Sequence, residues 1–141
     1  MASYTKYQDF AEQLIEGTHD FDLHVFKIML SNTAPNVATH AVRADVTELG
    51  AGNGYTSGGT ATTITTSETT GTAKAVGTDV VFTASGGSIG AFRYSIFYND
   101  TPTSPADPLI SYWDYGSSIT LADTETFTFD ADASAGLFTL A

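Results

Sequence analysis

Asp130, Asp132, Ser134 and Gly136 stand at alternate positions of one short stretch, the arrangement in which a calcium loop presents its oxygen ligands. The pattern is incomplete. Its sixth position is Ala135 where the chain would need glycine for the sharp turn, and its twelfth is Ala141 where a bidentate glutamate would close the shell. A solvated turn is the expectation here, with no metal. Three histidines, His19, His24 and His40, could supply a general base, yet no G-x-S-x-G elbow offers a serine to any of them. Carboxylates are abundant, and nothing marks one pair among them for acid and base work. Leu49 to Gly59 (LGAGNGYTSGG) is dense in glycine, but a phosphate cradle needs a following helix and a lysine in P-loop spacing, and a Thr-rich segment follows instead. The expectation is a protein with no catalytic residue, no cofactor and no metal.

Charge narrows the partners. Sixteen acidic against 5 basic residues give a net charge of -11 over 141 residues, which repels phosphate backbones and anionic membranes. Nucleic acid and membrane are therefore not expected partners. Cysteine is absent, so neither disulfides nor thiolate chemistry contribute. The start, MASYTKYQDF, has no basic and apolar leader pattern, and no later run has the length of a membrane span, so a soluble protein made in the cytosol is expected. Aromatic residues make up 12% of the chain, and Tyr98, Tyr112, Trp113 and Tyr115 are candidates for stacking on sugars. Their position in the best alternating segments favours the core instead.

Those segments organise the chain. In Phe92 to Tyr98 the period of two sets Phe92, Tyr94, Ile96 and Tyr98 against Arg93, Ser95 and Phe97. In Leu109 to Tyr115 it sets Leu109, Trp113 and Tyr115 against Ile110, Tyr112 and Asp114. Between them, residues 99–108 carry three prolines with Asn and Asp, so a hairpin with a long solvated loop is predicted. Phe21 to Leu30 reads as a strand buried on both faces or at an interface, within which His24 is a satisfied core or edge residue. Residues 31–39 read as a loop, and His40 to Glu48 as a mixed segment with a helical turn. The 49–59 stretch reverses the chain through φ > 0 positions. Residues 60–84 give two or three strands broken at Gly71 and Gly77, and 118–121, 125–130 and 136–140 give three closing strands. One helix is predicted over 5–17, with Thr5 and Gln8 as a capping box and Gly17 as terminator. The expected fold is mainly β, an antiparallel β-sandwich or barrel-like domain over 21–141, with a short N-terminal helix or arm over 1–20.

Tyr7, Phe10 and Leu14 make a narrow stripe on that helix. It either covers one end of the sheet or, with Tyr4, docks on a partner, since a helix of about three turns is marginal alone. Tyr4, Tyr7, Phe10 and Leu14 are the candidate contacts.

The blocks FKIMLSNTAPN (26–36), GYTSGG (54–59), FRYSIFYND (92–100) and PLISYWDYGSSITLADTETFTFDADASAGLFTLA (108–141) resemble a family of small tailed-bacteriophage proteins that decorate or cement the capsid. The resemblance implies a minor capsid protein in many copies on the outer surface of the head, a homo-oligomer, most simply a trimer, bound to the major capsid protein. A tail- or fibre-associated module binding host glycans is the alternative.

Overall fold

The structure, a computed structural model, describes residues 2–141. Ten strands and one α-helix follow in order among them: β1 (Ser3–Lys6), α1 (Asp9–Ile15), β2 (Phe26–Ser31), β3 (Thr60–Thr62), β4 (Ile64–Thr69), β5 (Thr72–Gly77), β6 (Val80–Thr83), β7 (Ile89–Asn99), β8 (Leu109–Leu121), β9 (Thr126–Phe129) and β10 (Phe138–Leu140). Every strand pairing is antiparallel. The main sheet has the order β1-β8-β7-β2-β3, and two smaller sheets, β10-β5-β4 and β6-β9, pack across it. The fold is mainly β, with sandwich-like packing and a short helix, as the residue pattern predicts.

The β7-β8 hairpin forms where predicted, but its strands are not regular. Between the pairs Tyr94↔Asp114 and Phe92↔Ile119, β8 takes five steps where β7 takes two, and Gly116, at φ 97°, absorbs part of the excess. Such a bulge rotates the chain. Phe92 consequently leaves the face of Tyr94, Ile96 and Tyr98 and joins Phe97 in the larger core, beneath Val80, Phe82, Phe129 and Leu137 of the small sheets and their connections. A second bulge between Phe97↔Ser111 and Tyr98↔Leu109 likewise separates Leu109 from Trp113. The strict alternation over both strands is thus corrected. Tyr94, Ile96, Tyr98 and Leu109 pack with Met29 and Tyr7 in a smaller cluster on the other face, completed by Val37 and Val46.

Four further boundaries differ from expectation for local reasons. Phe21 to His24 form a turn, because the Asp20 carboxylate accepts the backbone N–H groups of Asp22 and Leu23 and the Asp20 carbonyl accepts that of His24. β2 therefore begins at Phe26, buried on both faces between β7 and β3. Residues 118–121 are the end of β8, and residues 60–83 yield four strands, β3 and β4 being separated at Thr63. The predicted capping box does not form: Thr5 lies in β1 opposite Tyr112, and α1 starts only at Asp9, without a side-chain cap. Four residues of ladder on the edge of β8 satisfy more backbone groups than one cap would.

The largest departure concerns residues 1–20. A short helix or arm over 1–20, either covering one end of the sheet or docking on a partner, was expected; β1 is a strand of the main sheet, Tyr7 has 0% exposure and Phe10 3%. Tyr7 sits ahead of the helix, across the sheet from Phe10, so the predicted stripe is split between the two clusters.

Candidate interaction surface

Tyr4, Phe10 and Leu14 do meet. They line an open groove of about 520 Å³ whose far wall is the C-terminal strand, including Phe138 and Leu140. Tyr7 lies on the opposite face of the sheet and takes no part. Both walls carry a strand edge, since β1 ends the main sheet and β10 ends its smaller one. Phe138 forms the floor, 5.5 Å from the Phe10 ring and 5.0 Å from Phe21, and Phe21 stacks on Phe26 at 4.6 Å. Leu14, Phe138 and Leu140 also line an adjoining hollow of about 140 Å³ with Phe21 and Lys74, so the apolar surface is continuous around β10. The contribution of β10 escapes a reading by helical period, because only chain folding brings residues 138–140 beside residues 4–14.

The chain has five lysines and arginines, and two of them stand beside this groove. Of the five, Lys27 pairs with Asp100 at 2.7 Å, Arg43 with Glu48 at 2.7 Å and Arg93 with Asp114 at 2.7 Å. Lys6 and Lys74 have no carboxylate partner among the described residues, and they line the groove and its adjoining hollow. Lys74 Nζ donates instead to the Ser134 carbonyl at 3.0 Å. Comparison with known protein families, with curated proteins and with solved structures finds no match.

The other residues with chemical potential are engaged in holding the fold. Glu48 accepts hydrogen bonds from Arg43, Tyr55, Ser57 and the backbone of Gly58. Burial works to raise its pKa, but the bonds from Arg43, Gly58 and Tyr55 outweigh it and hold the carboxyl below its ordinary value. The Tyr55 hydroxyl oxygen also accepts the Leu30 N–H at 3.0 Å, so the glycine-rich loop is tied to β2. In the 130–136 turn, Asp132 accepts the N–H groups of Ser134 and Ala135, and Asp130 that of Asp132.

His19 and His24 are joined through Asn99, whose amide nitrogen lies 3.1 Å from His19 Nδ1 and 2.9 Å from His24 Nδ1. The Nε2 of His19 faces Gln13 Oε1 at 2.9 Å, so this ring carries its proton on Nε2 and is held neutral. Burial, reinforced by His24, pushes its pKa down to about 4. An unfolded chain therefore takes up a proton that the native chain refuses, and the stability His19 contributes is complete above its ordinary value of 6.5 and lost as pH falls towards 4. Between pH 7 and 5 the loss should be about 2 kcal/mol. Urea unfolding at the two pH values should register it, and a His19→Gln variant should show a much smaller difference.

Of the aromatic residues considered for glycan stacking, Tyr98 has no exposed surface, and Tyr112 and Trp113 are half-buried. The Trp113 ring packs edge-on to Phe129 at 4.8 Å and Tyr4 at 5.3 Å. Trp113→Ala should accordingly cost about 3 kcal/mol. An unchanged urea midpoint would show that the ring is not part of the core.

Proposed function

We propose that the chain is a structural virion protein of a tailed bacteriophage, a decoration or cement protein that binds the outside of the capsid and stabilises the head. Its partners in this reading are the major capsid protein and other copies of itself, with a trimer as the simplest assembly. The family resemblance supplies the virion context. The observation that carries a binding role is the open apolar groove between β1, α1 and β10, on a surface otherwise rich in Thr and Ser. The acidic charge suits a position on the outer face, away from packaged DNA.

Heads lacking the protein should take up purified protein in many copies and resist heat longer once they have done so. Absence of co-sedimentation would overturn the reading. Uptake of only a few copies would favour the tail- or fibre-associated glycan module, to which one observation points: Tyr115, 51% exposed, lines a shallow hollow of about 170 Å³ with Trp113 and Phe127.

A further inference from the structure

We propose that the groove is a self-association site, occupied by the Asp20–Val25 turn of a second copy. That turn and the groove are complementary in charge and in the placing of their apolar side chains. Leu23 is 77% exposed and Val25 49%, an apolar tip on an acidic base formed by Asp20 and Asp22. The groove reverses this arrangement, with Leu14, Phe138 and Leu140 inside and the two cations without carboxylate partners, Lys6 and Lys74, along its length.

Within one chain the apolar tips stay exposed, and the lysines lack carboxylates among the described residues, although Lys74 donates to the Ser134 carbonyl. Leu140 is 56% exposed, Leu23 projects from a turn, and the described carboxylates leave both lysines unpaired. The turn is also held in shape before it binds. Asp20 accepts two of its backbone N–H groups, the Val25 N–H donates to Thr101 Oγ1 at 2.8 Å, and the Val25 carbonyl accepts the Asp100 N–H at 2.8 Å. Docking such a turn costs little conformational entropy, which is what lets a small apolar tip contribute net affinity.

The charges decide which occupant the groove prefers. A net charge of -11 makes copies repel at long range, so self-association needs a local reversal of sign at the contact. Lys6 and Lys74 provide one, since the other lysine and both arginines, Lys27, Arg43 and Arg93, are already committed to carboxylates. Phe21, at the base of the turn, lines the hollow beside the groove, so the two surfaces adjoin on one chain. Copies can therefore engage reciprocally across a two-fold axis. Such an assembly buries Leu23 and Leu140.

This inference is independent of head binding, because it concerns the purified protein alone. Sedimentation velocity of the full chain over a concentration series should give a mass that is a multiple of 14.8 kDa. Leu23→Asp and Leu140→Asp should each lower the association constant by about thirtyfold or more. Both side chains are exposed, so melting measured at a concentration where the protein is monomeric should hardly move. Asp22→Lys and Lys74→Glu should each weaken association, and the two together should restore it. A monomer at every accessible concentration would overturn the proposal and leave the groove to a different protein. An oligomer indifferent to Leu23→Asp and Leu140→Asp would overturn it by placing the interface elsewhere, and a double charge swap without recovery would overturn the assigned pairing.

Discussion

A chain lacking residues 2–16 should aggregate on expression and should not persist as a soluble β-rich domain. Three losses act together. Removing β1 strips the outer edge of β8 from Ser111 to Asp114, and with it the Tyr4 ring that packs on Trp113. Removing Tyr7 takes from the smaller cluster a fully buried ring that lies 5.8 Å from Tyr112. Removing Phe10 uncovers Phe138, Phe21 and His19, and the loss of Gln13 leaves the buried His19 ring without its Nε2 partner. Each buried aromatic truncated in a core costs about 3–5 kcal/mol. Two of them approach the whole stability of an ordinary domain, about 5–15 kcal/mol. Soluble yield, far-UV circular dichroism and a thermal melt decide the matter. A soluble fragment with a cooperative melt would show that residues 21–141 close their own core and that the N-terminal segment is an appendage after all.

Gly59→Ala should be the most damaging single substitution for its size, costing on the order of 4 kcal/mol or preventing folding. Gly59 has φ 73°, and a Cβ there would lie 2.7 Å from the Met29 Cα and closer still to the Ile28 carbonyl. Those are backbone atoms of β2, an interior strand between β7 and β3, and they cannot yield without disturbing the ladders on either side. Gly71→Ala is the control. That residue also has positive φ, 84°, but nothing lies within 4 Å of the added carbon, so only the conformational cost of about 1–2 kcal/mol applies. Urea midpoints of the two variants should differ clearly. Equal midpoints would mean that the approach of Gly59 to β2 is loose.

The contrast between these glycines shows where sequence reading ends. Both stand where a turn is legible from residue type, and positive φ follows from the glycine and its neighbours. Whether the missing side chain also makes room for another strand is a property of the packed molecule.

The same division runs through the chain. Alternation and turn chemistry were enough to determine a mainly β antiparallel fold, the central hairpin, the buried β2 strand, the reversal at 49–59 and the end of the helix near Gly17, since these depend on residues close together in sequence. The faces of Phe92 and Leu109 were not legible, because a bulge is set by which partner residues a strand meets, and one inserted residue exchanges the sides. Thr5 and Gln8 carried a correct local signal for a cap that the edge of β8 overrode. Of the four candidate contacts, the tertiary structure gathered Tyr4, Phe10 and Leu14 around one groove and sent Tyr7 to the other face. It also supplied the opposite wall, Phe138 and Leu140, from the far end of the sequence. Spacing determines what one element can present; only the closing of the sheets decides which elements share a surface, because that depends on contacts between residues more than a hundred positions apart.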